Sequence, residues 1–129
     1  MAADEPSWTF SDAWVLTAIA VYADPGCTLT ELMAAADAMN HAIIDEGELA
    51  QGVGRLSASG LVTVVGDLFT LTGPGRALAA RRRGGLMGQV QSVHSLLRQV
   101  NLQDGRWQVP PEALDAAYAA YKLRLSGSG

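Results

Sequence analysis

The stretch DEGELAQGVGRLSASGLVTVVGDLFTLT, residues 45–72, decides the fold because its residue pattern changes period half-way. The first half predicts a helix that runs to about Ser59. Asp45 can cap its start with Glu48 at the third helical position, and Gly60 suits the left-handed residue that follows a helix. Its apolar positions, spaced four and three apart on one inward face, are Leu49, Val53 and Leu56.

The second half of this stretch predicts two antiparallel strands. Residues 61–65 and 68–71 are rich in branched and aromatic side chains. They flank Gly66-Asp67, a dipeptide that suits a two-residue hairpin turn. The stretch as a whole therefore predicts a helix followed by a β-hairpin.

Two helices are predicted before this stretch. Ser11 is the expected N-cap of the first, which the run Asp24-Pro25-Gly26 ends. Thr28 and Glu31 fit a capping box for the second, from Leu29 to about Met39. The fold up to the hairpin is thus three helices and two strands.

Three further helices are predicted after the hairpin. The first spans Arg76 to Arg83 and ends at Gly84-Gly85, and the last follows Pro110-Pro111. Between them, the segment from Leu86 to Leu102 has an apolar seam typical of a coiled coil, which predicts a partner helix in the same chain or in a second subunit. The seam, expected to mediate dimerisation, comprises Leu86, Val90, Val93, Leu97 and Val100.

Length and composition predict one globular domain. The chain has 129 residues, of which 49% are hydrophobic and 17% charged, enough to bury a core. Its single cysteine, Cys27, its start without a signal-peptide pattern, and the shortness of its apolar stretches favour a cytoplasmic protein. It has no nucleophile, phosphate-loop or dinucleotide motif, and its two histidines, His41 and His94, lack ligand-spaced partners. We therefore expect neither catalysis, nor a cofactor, nor a metal site.

Residues 11–83 are similar to a winged helix-turn-helix, most like the minimal type of the multiple-antibiotic-resistance (MarR) and PadR regulator families. The similarity lies in Glu48-Leu49 through Arg55-Leu56, Gly60-Leu61-Val62, residues 66–72, and Gly75-Arg76-Ala77-Leu78. It implies a mainly α fold with a small β-hairpin and a winged domain over residues 11–83. The apolar spacing of the two following helices predicts a C-terminal helical pair over residues 86–125, which is expected to pack on the same domain and to dimerise.

In DNA-binding members of this superfamily, the third helix enters the major groove and the hairpin touches the DNA backbone or minor groove. Carried over, the third helix presents Glu46, Gly47, Ala50, Gln51, Gly54 and Ser57 to DNA. The resemblance thus implies a dimeric transcriptional regulator that binds duplex DNA. The residues expected to contact DNA are Gln51, Arg55, Ser57, Arg76, Arg81, Arg82 and Arg83.

The charge distribution favours a different function. All nine basic residues lie at Arg55 or later, whereas nine of the thirteen acidic residues precede it. DNA phosphates require cations, and this polarity removes them from the helices that should approach DNA. The alternative is a winged helix used as a protein-interaction module without direct DNA binding. Its expected partner-binding residues are Asp45, Glu46 and Glu48.

Three local features allow two interpretations each. The arginines Arg81-Arg82-Arg83 either contact phosphate or an acidic partner, or complement the C-terminal dipole of a helix. Cys27 is either a reactive thiol or a small buried spacer. Trp14 is expected in the core, whereas Trp8 and Trp107 either line a pocket for a small apolar effector or contact a second subunit.

Overall fold

The computed structural model describes residues 6–22, 26–40, 42–66 and 68–127. These residues form a mainly helical fold with a small three-stranded antiparallel sheet. The elements in chain order are α1 (Phe10–Val21), β1 (Cys27–Thr28), α2 (Leu29–Asn40), α3 (Glu46–Ala58), β2 (Val62–Val65), β3 (Leu68–Leu71), α4 (Gly73–Ala79), α5 (Leu86–Leu97) and α6 (Pro111–Gly127).

The sheet contains the predicted hairpin and one additional strand. β2 and β3 pair antiparallel, with Val64 opposite Phe69. β1 pairs with the other edge of β3, with Cys27 opposite Phe69, so the strand order is β1-β3-β2. The sequence did not predict β1, because a two-residue strand is too short to show alternation. Asp67 of the predicted turn lies outside the described residues.

The caps of α2 and α3 are as predicted, but that of α1 is not. The reciprocal bonds of Thr28 with Glu31 and of Asp45 with Glu48 are both present, and Gly60 has a φ of 79°. The N-cap of α1 is Thr9, which forms a capping box with Asp12. Ser11 lies inside the helix, and its hydroxyl donates to Glu48 Oε2 over 2.9 Å. The prediction of Ser11 as the cap was wrong.

Helix α1 is the centre of the core. Every residue from Asp12 to Ala20 is buried, and α1 packs against α2, α3 and α5. A helix that is apolar on most sides requires neighbours on most sides. Trp14 is only 2% exposed, as expected of a core residue, and its indole donates to Ala36 O over 2.8 Å.

The apolar seam of α5 faces this core. Val90, Val93 and Leu97 are fully buried within the single chain, and Val100 packs partly buried against the same core. These side chains contact the chain's own interior, so a dimer through them, as expected from the sequence, would have to open the core. The side chain of Leu86 lies outside the described residues.

The helices of the second half differ in their bounds from the prediction. Thr72 caps α4, which begins at Gly73 and ends at Ala79, so Arg81, Arg82 and Arg83 follow the helix. The predicted helix over 86–102 ends at Leu97. α6 packs against α2, where the Tyr121 hydroxyl donates to Asp37.

Of the two interpretations of Cys27, a reactive thiol or a small buried spacer, the structure favours the buried spacer. Cys27 lies in β1 and is fully buried. Burial, followed by the nearby charge of Glu31, raises the pKa of its thiol from 9.0 to about 12. The thiol is therefore protonated at neutral pH and is not a nucleophile.

Candidate functional site

The folded chain has opposite charges at two of its ends. Between Leu68 and Gln103 the sequence contains five arginines and no aspartate or glutamate. In contrast, the charges exposed at the start of α3 and in the first turns of α6 are acidic, from Asp45, Glu46, Glu112 and Asp115. We call these two surfaces the basic end (Arg76, Arg81, Arg82, Arg83) and the acidic face (Asp45, Glu46, Asp115).

Arg55 belongs to neither surface, because it lies in a buried ion network. Its Nη1 donates to Asp12 Oδ2 and to Ser7 O, each over 3.0 Å. Its Nε donates to Asp104 Oδ1, also over 3.0 Å. The Arg55 side chain is 10% exposed and that of Asp12 is fully buried. Since Nε and Nη1 already donate to protein oxygens, the phosphate contact expected of Arg55 would compete with this network.

The network shifts the pKa values of Arg55 and Asp104 in opposite directions. Burial lowers the pKa of Arg55, but hydrogen bonds to Asp104 and Asp12 and their charges outweigh this, and the pKa rises above its usual value. The hydrogen bond from Arg55 lowers the pKa of the Asp104 carboxyl below its usual 3.8. The network thus joins α1, α3 and the segment after α5.

The outward side of α3 is covered by this same chain. Residues 103–109, which we call the covering segment, run along the helix, and the Trp107 amide donates to Ala50 O over 2.9 Å. A Cβ atom placed on Gly54 would lie 2.4 Å from the Cα of Arg106, so the two backbones touch. At the far end, the Gln103 amide donates to Ser59 Oγ over 2.9 Å.

The covering segment changes what α3 can present. Ala50 and Gly54, two of the positions expected to face DNA, are buried. Gln51 is half-buried, and its amide lies 3.4 Å from both Thr9 Oγ1 and Asp12 Oδ1. Ser57 is exposed. A helix must insert its outward side into the major groove to read bases, and here a polypeptide segment occupies part of that side.

The basic end combines one arginine whose guanidinium group binds within the protein with three exposed ones. Arg82 Nη1 donates to Ala79 O over 2.8 Å at the end of α4, as expected of a cation at a helix C-terminus. Arg81 and Arg83 are exposed, and neither of their guanidinium groups forms a hydrogen bond or ion pair with another described residue, although the Arg83 backbone amide donates to Ser92 Oγ. Arg76 is exposed on α4. The described residues of the cleft beside these arginines come from 80–83, α5 and the turn after α5, so α3 does not share it.

The acidic face keeps its charges close together. Asp45 and Glu48 cap α3 through reciprocal bonds, and Glu48 also accepts from Ser11. Burial, followed by the charges of Asp45, Glu46, Asp115 and Glu48, raises the pKa of Tyr118. The Tyr118 hydroxyl donates to Ile44 O over 2.9 Å. Glu46 is exposed and forms no cap bond, so it is the carboxylate of α3 most available to a partner.

Trp8 and Trp107 pack against protein groups. Trp8 is 8% exposed, and its indole donates to Val100 O over 3.0 Å. Trp107 packs edge-on against Phe69, with ring centroids 5.2 Å apart. His94 Nε2 lies 3.0 Å from Trp8 O, and His41 lies outside the described residues. Over the described ranges, no three potential metal-ligating side chains cluster.

Comparison of the chain with models of protein families, with curated proteins and with solved structures gives no match. No helix in the described part of the chain combines the length and apolarity needed to cross a membrane.

Removing the buried carboxylate tests the ion network. Asp12→Ala is expected to lower the free energy of unfolding by about 3–5 kcal/mol, because it leaves the Arg55 guanidinium buried without its internal partner. Urea denaturation followed by circular dichroism measures the change. Asp115→Ala, at an exposed helical position, is the control and should change it by about 0.5 kcal/mol or less. Equal effects of the two substitutions would contradict the assigned role of Asp12.

The pKa of Asp104 predicts an acid-sensitive contribution to stability. Since its pKa is lower in the folded state, the unfolded state takes up the proton first as the pH falls. The contribution is fully present well above the unfolded value of about 3.9 and is lost as the pH falls through the folded pKa. The urea midpoints of wild type and Asp104→Asn should therefore differ at neutral pH and converge in acid. A difference that is independent of pH would count against the Arg55–Asp104 bond.

Two glycines of α3 provide a matched test of the covering segment. Gly54→Ala places a methyl group against the Arg106 backbone, so it should destabilise the fold and expose the segment to tryptic cleavage after Arg106. Gly47→Ala meets only Asp45 Oδ1, at 3.4 Å, and should stabilise the helix by about 0.5–1 kcal/mol. Cleavage rates and unfolding curves of the two variants are compared with those of wild type. If Gly54→Ala is as stable and as resistant as Gly47→Ala, residues 103–109 do not lie on α3.

Proposed function

We propose that this protein is a non-catalytic winged-helix module that binds a basic protein partner through its acidic face and does not read DNA with α3. The element order α1-β1-α2-α3-β2-β3 and the sheet order β1-β3-β2 support the winged-helix assignment. The single observation that carries the functional proposal is the covering segment on α3. A helix that already binds its own chain on the outward side is unsuited to the major groove.

The charge of the surrounding surface supports a basic partner. The N-terminus of α3 and the start of α6 place Asp45, Glu46 and Asp115 around Tyr118, where their charges act together on its phenol. Phosphates would be repelled from this region, whereas a Lys- or Arg-rich segment would be attracted.

A cleft next to these acids offers contact area. It has a volume of about 590 Å³ and extends from Glu46 along the covering segment to Pro111. Trp107 and the paired prolines Pro110 and Pro111 contribute apolar walls, Glu46 contributes an acid, and Arg106 and Gln108 contribute a cation and an amide. Such a mixed cleft suits a short segment with apolar side chains whose basic groups lie toward Glu46, away from Arg106.

The second candidate is a transcriptional regulator, dimeric or assisted by a partner, that contacts duplex DNA through its basic end. The exposed guanidinium groups of Arg81 and Arg83 favour it, since they lie in a part of the chain without acidic residues. This candidate differs from the DNA-binding mode that the similarity to winged helix-turn-helix regulators implies, because α3 would not supply the base contacts. Such binding would follow phosphate charge and have little sequence preference.

Two measurements separate the candidates. In fluorescence anisotropy with a mixed-sequence duplex, the proposal predicts no binding. The second candidate predicts binding that Arg81→Gln/Arg83→Gln abolishes and that Gln51→Ala/Ser57→Ala leaves unchanged. Co-purification from the native host should recover a partner with wild type and lose it with Glu46→Lys/Asp115→Lys. Thr63→Lys/Val65→Lys, which places two lysines on the exposed part of β2, is the control and should retain the partner.

Two outcomes would contradict the proposal. Tight DNA binding that weakens steeply between about 50 and 200 mM salt and is lost in Gln51→Ala/Ser57→Ala would restore α3 as a reading helix. Retention of the same partner by Glu46→Lys/Asp115→Lys would remove the acidic face from the interaction.

A further inference from the structure

The cleft at the basic end is formed by a turn that folds three arginines onto α5. It has a volume of about 580 Å³ and lies between residues 80–83 and the helix side that carries Ser92, Ser95 and Gln99. Gly84, with a φ of 99°, makes the turn possible, and a Cβ atom there would lie 3.1 Å from Gly88 Cα. The close approach of two glycines therefore brings the arginines alongside α5.

Two hydrogen bonds hold the arginine segment in place. The Arg83 amide donates to Ser92 Oγ over 2.9 Å, and Arg82 Nε donates to Gln89 Oε1 over 3.0 Å. Together with the bond from Arg82 to Ala79 O, these contacts orient one guanidinium and the backbone before any ligand arrives. A preorganised site loses less conformational entropy on binding.

The remaining donors point to an anionic ligand. Ser92 Oγ accepts the Arg83 amide, so its own hydroxyl hydrogen remains free to donate. Ser95 lines the same cleft and is exposed. Arg81 and Arg83 each have an unused planar guanidinium among the described contacts, and no acidic side chain lines the cleft in the described part of the chain. Guanidinium and hydroxyl donors together match phosphoryl oxygens.

We propose that this cleft binds the diphosphate group of a small molecule. Two guanidinium groups that have no partner among the described residues and one oriented guanidinium supply three positive charges, which is sufficient for two adjacent phosphoryl groups. The volume of the cleft lies in the range of small-ligand sites. The shared chemistry is that of inorganic diphosphate and of a nucleoside diphosphate. This proposal is independent of the acidic face, since the two surfaces share no residue.

Isothermal titration calorimetry with inorganic diphosphate and with adenosine diphosphate tests the proposal. Arg81→Gln/Arg83→Gln is expected to weaken diphosphate binding by about tenfold or more, because it removes two charged donors. Ser95→Ala changes no charge and should weaken it by about fivefold through the loss of one neutral donor. The control Arg106→Gln/Lys122→Gln also removes two exposed positive charges, but from outside the cleft, and should bind as wild type does.

The comparison of ligands identifies the source of the diphosphate. Equal affinity for the two ligands assigns the site to inorganic diphosphate, and tighter binding of adenosine diphosphate assigns it to a nucleoside diphosphate. No binding of either ligand by the folded wild type overturns the proposal. Equal weakening in the cleft variant and in the control also overturns it, since binding would then follow overall charge. Duplex DNA that binds through Arg81 and Arg83 while both diphosphates fail to bind would assign the cleft to nucleic acid instead.

Failure of this experiment leaves the proposed function separately testable. The Arg81→Gln/Arg83→Gln variant retains Glu46 and Asp115, so it should still co-purify with the partner. Loss of diphosphate binding together with retained partner binding is the expected behaviour of this variant.

Discussion

The buried pair of Asp12 and Arg55 is the constraint on which the arrangement of this fold depends. A charge without a partner in the interior costs several kcal/mol, so both groups must remain together once α1 and α3 pack. Arg55 then extends the pair to Asp104, which places the covering segment on α3. One ion network thereby links the central helix, the helix expected to read DNA and the segment that covers it.

The two charged ends of the molecule follow from the same arrangement. Arg55 is the first cation of the chain, and its burial removes it from the surface of α3. The acids at the start of α3 then have no basic neighbour on their own helix, whereas the remaining arginines gather beyond β3. The acidic charge and the covering segment both make α3 a poor binder of phosphate. Both also leave the acidic N-terminus of α3 accessible to a partner that carries cations.

Much of the secondary structure could be predicted, because the signals were local. The capping pairs Thr28 with Glu31 and Asp45 with Glu48, and the alternation of the hairpin, lie within a few residues. The covering segment could not be predicted in this way, since Arg55 and Asp104 are separated by 49 positions. A signal was nevertheless present in Gly52 and Gly54. Glycines inside a helix are costly, and these two allow Val15 and the Arg106 backbone to approach closely. The α5 seam was read correctly as apolar, but periodicity alone does not distinguish a partner in α1 from a second subunit.

The central claim is that the outward side of α3 is bound by its own chain. Nuclear magnetic resonance of the labelled protein tests it directly through the nuclear Overhauser effect between the Gly54 and Arg106 α-protons. The account predicts that this contact is observed in the free protein and that it persists in an excess of duplex DNA, with α3 resonances unchanged. Absence of the contact in the folded free protein, or its loss together with shifts along α3 when DNA is added, would contradict the account.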